Sequence, residues 1–216
     1  MRPLAIVDYG MGNLRCVQKA FERLGHAAEV TRDAERIAAA PAVVLPGVGA
    51  FGACMANLTA LGLVEPVRHA IAAGRPFLGI CLGMQLLFEE SEEFGPVAGL
   101  GVFPGRIVRF DRHPERKVPH MGWNTLRMVR PAPALAGIEE GAYAYFVHSY
   151  YPVPADPSLI VTTTPYGVEF ASSVAREHVF ACQFHPEKSQ QVGLRLLDNF
   201  VRRTCGAGRG GVAGRA

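Results

Sequence analysis

Cys81 stands in a segment whose composition suits a reactive thiol. Residues 79–83 read Gly-Ile-Cys-Leu-Gly, which is the G-x-nucleophile-x-G pattern of a sharp turn between a strand and a helix. The glycines leave room around the strained turn, and the start of the helix favours a thiolate over a thiol. The backbone N–H of Leu82 would face a developing oxyanion. The pattern predicts a catalytic nucleophile, with a buried structural cysteine as the alternative.

His185 and Glu187 are the candidates for the base that this thiol requires. They stand in Cys-Gln-Phe-His-Pro-Glu, residues 182–187, and side chains two residues apart face the same side of an extended backbone. Glu187 would then orient one imidazole nitrogen while the other nitrogen faces the thiol. Of the seven histidines in the chain, His185 is the best supported as a base. The alternative is a surface His-Pro-Glu turn.

A third segment, residues 45–52, is rich in glycine and follows a predicted strand. Gly47, Gly49 and Gly52 fit the G-x-G-x-x-G pattern of a dinucleotide site. Such a site needs an acid about 20 residues further on, and residues 66–88 contain neither Asp nor Glu. We therefore expect this loop to direct backbone N–H groups toward an oxyanion.

The predicted elements place the Cys81 segment at a junction between a strand and a helix, and the glycine-rich segment just past the end of another strand. Buried strands are expected at 4–7, 28–31, 42–45 and 76–80, and helices at 14–24, 63–73 and 82–90. This alternation predicts a mostly parallel sheet with helices on both faces. Further strands are expected at 105–110, 121–129, 143–150, 159–164, 169–175 and 179–184, before a helix at 191–203.

The predicted fold is therefore one α/β domain, residues 1–205, in which an antiparallel layer is added to the parallel sheet. Residues 206–216 contain five glycines and two arginines and are expected to form a flexible tail.

Composition excludes several classes of function. A content of 49% hydrophobic and 19% charged residues is that of a globular protein. No apolar run reaches the roughly 18 residues of a membrane span, and the N-terminus does not resemble a signal peptide. The net charge of +3 falls to +1 without the last eleven residues. The basic residues are scattered except in the stretch 109–117, which disfavours nucleic-acid binding.

The five cysteines form no pairing pattern, which indicates a reducing compartment, and we expect a cytoplasmic protein. Cys182 and His185 have the spacing of two metal ligands, but further ligands are missing, so neither a metal nor another cofactor is expected.

Taken together, these segments resemble the class I glutamine amidotransferases, whose fold is flavodoxin-like and whose Cys-His-Glu triad hydrolyses glutamine. A narrower similarity is to the glutaminase subunits of imidazole glycerol phosphate synthases. It is carried by the segments 8–14, 46–51, 119–124 and 185–189, which read DYGMGNL, PGVGAF, PHMGWN and HPEKS. The resemblance implies that ammonia released from glutamine passes to a partner cyclase subunit, a (β/α)8 barrel, in histidine biosynthesis.

The resemblance also implies roles for individual residues. Cys81 would form a thioester with glutamine, His185 would protonate departing ammonia and then activate water, and Glu187 would orient His185. The residues implied to bind substrate are Gly47, Val48, Gly49, Leu82, Gln85, His148, Ser149 and Tyr150, of which the first three form the oxyanion loop. Those implied to contact the cyclase are Asn13, Met121, Trp123 and Lys188.

Two other hypotheses are compatible with part of this pattern. One is a different amidotransferase or a cysteine hydrolase with the same turn, which the Met-Gly-Trp-Asn segment disfavours. The other is a binding or regulatory subunit without activity, which the intact Cys81, His185 and Glu187 disfavour.

Overall fold

The computed structural model describes residues 2–111, 114 and 116–204. The strands in this part are β1 (Leu4–Val7), β2 (Ala28–Thr31), β3 (Val43–Gly47), β4 (Phe77–Cys81), β5 (Phe88–Ser91), β6 (Val97–Ala98), β7 (Phe103–Arg109), β8 (His120–Thr125), β9 (Arg127–Met128), β10 (Tyr143–His148), β11 (Tyr150–Pro154), β12 (Ile160–Pro165), β13 (Glu169–Arg176) and β14 (Val179–Cys182). The helices are α1 (Leu14–Arg23), α2 (Ala34–Ala39), α3 (Phe51–Ala60), α4 (Val64–Ala72), α5 (Leu82–Gln85) and α6 (Gln190–Asn199), and α6 continues into a π-helical turn, Phe200–Thr204.

The main sheet has the strand order β2-β1-β3-β4-β14-β13-β12-β9. From β2 to β14 the strands are parallel, and β13, β12 and β9 continue the sheet in antiparallel orientation. Two smaller sheets have the orders β10-β8 and β11-β7-β5-β6. The predicted fold class, a helix-flanked parallel sheet with added antiparallel strands, is confirmed.

The first strand shows how the sheet is buried on both faces. Leu4 and Ile6 belong to the core that contains side chains of α1 and α6, whereas Ala5 and Val7 belong to the core that contains side chains of α2, α3 and α4. A strand that is apolar at every position is therefore buried from both sides, as expected of a parallel sheet.

The predicted helix at residues 82–90 is wrong beyond its first turn. α5 ends at Gln85, and the chain enters β5, which pairs with β6 and β7. Residues 81–88 are buried without interruption. A segment enclosed on all sides carries no amphipathic pattern, so its apolar composition cannot distinguish a strand from a helix.

Other boundaries differ because the chain changes sheets. The strand predicted at 143–150 divides at Ser149: β10 pairs with β8, whereas β11 pairs with β7. The strand predicted at 121–129 likewise divides into β8 and β9.

Helix α3 is absent from the sequence-based expectations. The predicted tail, residues 206–216, lies outside the described residues.

Within the described residues, none of the helices combines the length and the apolar character that crossing a bilayer requires.

Candidate active site

Cys81 occupies the sharp junction between β4 and α5. Its backbone has φ +54° and ψ −113°, and a non-glycine residue in such a region costs about 1–3 kcal/mol. Gly47, the last residue of β3, is its register partner, so the junction lies at the carboxyl edge of the parallel sheet. A Cβ on Gly83 would overlap the carbonyl oxygen of Leu45. Glycine at this position is therefore what allows α5 to start so close to β3.

His185 follows β14, the neighbour of β4 in the sheet, and pairs with Glu187. Its Nδ1 lies 2.8 Å from Glu187 Oε1, and the two side chains are 3% and 1% exposed. The expectation of extended backbone between them is wrong, because Pro186–Lys188 forms a 3-10 turn. This turn brings the carboxylate back onto the ring. The His185 N–H donates to the Tyr145 carbonyl, and the Ser189 hydroxyl donates to the His185 carbonyl.

The pKa of His185 is raised above the ordinary histidine value. Burial alone lowers it, but the neighbouring Cys81 sulfur and the hydrogen-bonded Glu187 carboxylate favour the charged ring and outweigh burial. Among the described residues, none forms a hydrogen bond with Nε2 of His185. The ring is therefore placed to exchange a proton with the thiol or with a molecule bound next to it.

A cavity of about 390 Å³ lies beside Cys81 and His185, which both line it. Gly47 is not among the lining residues; a Cβ at this position would meet the Tyr9 hydroxyl at 2.5 Å, so glycine is needed there for packing. The other residues expected to bind substrate do line it: Val48, Gly49, Leu82, Gln85, His148, Ser149 and Tyr150. Sequence reasoning missed three lining residues, Glu93, Pro119 and Val147.

Glu93 is the missed residue with the clearest chemistry. It lines the cavity, and its Oε2 accepts a hydrogen bond of 2.6 Å from the N–H of Phe51, the first residue of α3. The carboxylate thus supports the chain that leaves the glycine-rich loop and also offers negative charge to a ligand. No motif signals it, because Glu93 reaches the cavity only through the unpredicted strands β5 and β6.

Two side chains form hydrogen bonds to carbonyl groups of the glycine-rich loop. The Tyr9 hydroxyl donates to the Pro46 carbonyl at 2.8 Å. The Cys54 thiol donates to the Val48 carbonyl at 3.6 Å, and burial raises the pKa of this thiol to about 11. Gly49 has φ +99°, a conformation in which glycine carries no steric cost. Cys54 is therefore a structural thiol that fixes the loop.

Gln85 connects the two sides of the cavity. Its Nε2 lies 2.9 Å from the Tyr150 carbonyl and 2.9 Å from Gln183 Oε1. Gln183 Nε2 in turn lies 3.7 Å from Cys81 Sγ. Gln183 was not singled out from the sequence, although it stands two residues before His185. Gln183 directly follows β14, and its side chain contacts Cys81.

The residues expected to contact a partner include an exposed group on the β8-β10 ribbon. Met121 and Trp123 of β8 are 63% and 46% exposed. The Trp123 ring packs edge-on against the Tyr145 ring of β10. Lys188 Nζ lies 5.8 Å from the centre of that Tyr145 ring. Asn13, just before α1, is also exposed. Trp123 is thus a half-exposed surface residue and not part of the core.

No group of three or more His, Cys, Asp or Glu side chains in the described part of the chain is arranged to hold a metal ion. Cys16, Cys54, Cys81 and Cys182 are free thiols. The ionisable groups that line the cavity include the Cys81 thiol, the His185 imidazole and the Glu93 carboxylate.

Comparison with known proteins agrees with this geometry. The family model described as Glutamine amidotransferase class-I matches residues 5–204. The chain belongs to this family. It is 57% identical over 202 residues to the imidazole glycerol phosphate synthase subunit HisH of Syntrophotalea carbinolica, covering 91% of this chain and 98% of that protein. It is 55% identical over 205 residues to the HisH subunit of Geobacter sulfurreducens, covering 93% of this chain and 98% of that protein.

Solved structures of other proteins share the fold. A structure described as a glutamine amidotransferase has a TM-score of 0.72 at 21% identity, covering 94% of this chain and 98% of the other. The structure of PurLQS from Thermotoga maritima has a TM-score of 0.69 at 18% identity, covering 94% of this chain and 99% of the other. At these identities the likeness concerns the fold alone, and the HisH relationship rests on the sequence matches.

Proposed function

We propose that the chain hydrolyses glutamine to glutamate and ammonia at Cys81 and passes the ammonia to a (β/α)8-barrel cyclase subunit in the cytoplasm. As a class I glutamine amidotransferase of the HisH type, the chain is the glutaminase subunit of an imidazole glycerol phosphate synthase and serves histidine biosynthesis. One observation carries the residue assignment. The strained Cys81 and the Glu187-bound His185 line a single cavity.

The first half of the reaction forms a thioester. The Cys81 thiolate attacks the side-chain carbonyl carbon of glutamine, and the resulting oxyanion receives hydrogen bonds from backbone N–H groups of Leu82 and of the glycine-rich loop. His185, an imidazolium because its pKa is raised, gives its proton to the amide nitrogen. The carbon–nitrogen bond breaks, ammonia leaves, and the γ-glutamyl group remains bound to the Cys81 sulfur as a thioester.

The second half releases glutamate. Neutral His185 accepts a proton from water, whose oxygen attacks the thioester carbonyl carbon. The carbon–sulfur bond breaks, glutamate leaves, and the thiolate of Cys81 is restored next to the imidazolium. Glu187 keeps Nδ1 protonated and stabilises the charged ring in both halves.

The α-ammonium and α-carboxylate groups of glutamine bind to lining residues other than Cys81 and His185. Glu93 provides a carboxylate for the α-ammonium group, and Gln85 with the backbone of residues 148–150 surrounds the remaining polar atoms. A charge-assisted hydrogen bond at Glu93 contributes about 1.5–3 kcal/mol. The geometry therefore favours an amino acid over a simple amide as the substrate.

The exposed ribbon β8-β10 is the proposed surface for the cyclase. Met121 and Trp123 present apolar area that a monomer leaves in water. Trp is among the residues most often found as anchors in interfaces. Lys188, one residue beyond Glu187, joins this surface to the catalytic turn.

Ammonia release from glutamine tests this function directly. The purified chain is assayed alone and after addition of a cyclase subunit with its nucleotide ligand, and we expect the partner to stimulate release. Cys81→Ala should abolish release, whereas Cys16→Ala, which removes an exposed thiol that does not line the cavity, should not. Strong activity without a response to the cyclase would overturn the partner assignment. Absence of activity in folded protein under both conditions would overturn the enzymatic assignment.

A further inference from the structure

Two histidines outside the catalytic pair, His120 and His148, are buried side by side next to the cavity. They are register partners in the β8-β10 ribbon and are 3% and 7% exposed. Their rings contact a cluster of aromatic side chains: Phe110, Phe146, Tyr166 and Phe170. Hydrophobic packing alone would be served better by two further phenylalanines, so the polar atoms of these rings need an explanation.

Those polar atoms form a series of hydrogen bonds in which each group donates to the next, from Asn124 to the Tyr150 carbonyl. The Tyr150 carbonyl only accepts, so the His148 nitrogen 2.8 Å away, Nδ1, carries the proton. In a neutral ring His148 Nε2 is then an acceptor, and it lies 3.2 Å from His120 Nδ1, which must donate. His120 Nε2 is then an acceptor as well, and it lies 3.3 Å from Asn124 Nδ2.

The orientation of Asn124 agrees with this direction independently. Its Nδ2 lies 2.8 Å from the Pro165 carbonyl, which accepts, and its Oδ1 accepts from the Thr125 N–H at 2.8 Å. Backbone groups therefore fix both ends of the series. Each bond between them has a single possible donor as long as both rings stay neutral.

Both rings are kept neutral by their surroundings. Burial is the main reason that the pKa of His120 is lowered to about 4 and that of His148 to about 3, and the hydrogen bond to the Tyr150 carbonyl opposes this shift at His148 only in part. A proton added to His148 Nε2 or to His120 Nε2 would also face a donor. The tautomers of His120 and His148 are thus set by geometry and burial together.

The series continues from Tyr150 to the nucleophile. The Tyr150 carbonyl also accepts from Gln85, which bonds to Gln183, which in turn contacts Cys81 Sγ. At its other end, Asn124 follows Trp123 in β8. A continuous set of hydrogen bonds therefore connects the strand that bears the exposed Met121 and Trp123 with the glutamine pocket.

We propose that His120 and His148 are positioning residues for glutamine hydrolysis, which hold the Tyr150 carbonyl and Gln85 in place and couple them to the position of strand β8. This inference rests on the proposed function of the cavity. It assigns to the two buried imidazoles a role that a purely apolar pair could not perform, because each member of the series must both donate and accept a hydrogen bond.

The test compares two reagents that alkylate Cys81. 6-Diazo-5-oxo-L-norleucine must occupy the glutamine pocket to react, whereas iodoacetamide needs only an accessible thiol. His120→Phe keeps a ring in the stack and removes both hydrogen bonds. We expect labelling by the glutamine analogue to slow by about five- to tenfold, the size of effect that follows from losing the one bond, His120 to His148, that leads toward Tyr150. Labelling by iodoacetamide should change less than about twofold. His120→Asn, whose amide nitrogen occupies the place of Nδ1, should restore most of the loss.

Phe170→Leu is the matched control, since it disturbs the same aromatic cluster without touching the hydrogen bonds. It should lower the melting temperature and leave the ratio of the two labelling rates unchanged. A wild-type rate in His120→Phe, or equal losses with both reagents or in Phe170→Leu, would overturn the positioning role. A wild-type chain that does not react at Cys81 with the glutamine analogue would instead overturn the function on which the role rests.

A second measurement does not depend on the folding of a variant. Nitrogen-15 NMR of the wild-type chain should show His120 and His148 as neutral rings protonated at Nδ1 throughout pH 5.5–8. A ring protonated at Nε2, or a charged ring at pH 7, would contradict the direction of the series and overturn the proposal.

Discussion

Nδ1 of His185 and Oε1 of Glu187 lie 2.8 Å apart in a site where both side chains are almost fully excluded from solvent. Glu187→Gln keeps the shape of this pair and removes its charge. We expect kcat for glutamine hydrolysis to fall by about two orders of magnitude or more, because the imidazolium loses its counter-charge and its preferred tautomer. Steady-state ammonia release measures the effect.

The chain provides a matched control for this substitution. Glu177 also lies next to a histidine, with 3.8 Å between its Oε2 and His178 Nδ1, but its side chain is 78% exposed. Glu177→Gln should leave kcat unchanged within about twofold, since exposed ion pairs contribute little. Equal losses in both variants would show that the buried pair has no special role.

The charge state of His185 is the second prediction. Its raised pKa keeps the ring protonated at pH 7.5, where an ordinary histidine with a pKa near 6.5 is mostly neutral. Cys81→Ala and Glu187→Gln each remove negative charge, so each should move the titration midpoint downward. Ring-nitrogen NMR reports the midpoint directly. A wild-type His185 that is neutral at pH 7.5 would contradict the proton transfer described above.

Glu93 is expected to act on binding more than on chemistry. Glu93→Gln should raise KM for glutamine by about tenfold or more with a smaller change in kcat, because it removes the charge proposed to face the α-ammonium group. Glu92→Gln is the control. Glu92 accepts from the Arg109 N–H and is not part of the cavity lining. A KM that is unchanged in Glu93→Gln would remove Glu93 from substrate binding.

Trp123 is expected to contribute to assembly and little to stability. It is 46% exposed, so Trp123→Ala should weaken binding to the cyclase by more than about 1 kcal/mol while the free energy of unfolding changes by less. Leu61→Ala, an exposed apolar residue directly after α3, should leave binding unchanged. Calorimetric titration and urea unfolding separate the two quantities. A large loss of stability with unchanged affinity would show that Trp123 is structural.

The parallel half of the fold was predictable because its signals are local. Short apolar runs marked β1, β3 and β4, and the Gly-Ile-Cys-Leu-Gly pattern marked the turn at Cys81. The same local logic associated His185 with Glu187, although a 3-10 turn and not extended backbone forms the pair.

The remaining part of the cavity depends on contacts between distant segments. Glu93 meets Phe51 across 42 residues, and Gln85 meets Gln183 across 98 residues. Neither contact leaves a periodic or compositional trace. β5 was missed for a different reason: its two end residues are buried and the two between them, Glu89 and Glu90, are exposed, so the strand lacks the alternation of a half-buried strand.

Mass spectrometry of the chain after inactivation by 6-diazo-5-oxo-L-norleucine tests whether Cys81 is the nucleophile. We expect one adduct per chain, located at Cys81, with loss of glutaminase activity in proportion to labelling and protection by glutamine. Loss of activity with Cys81 unmodified, or an adduct at Cys54 or Cys182 in its place, would contradict the assignment of Cys81 as the nucleophile.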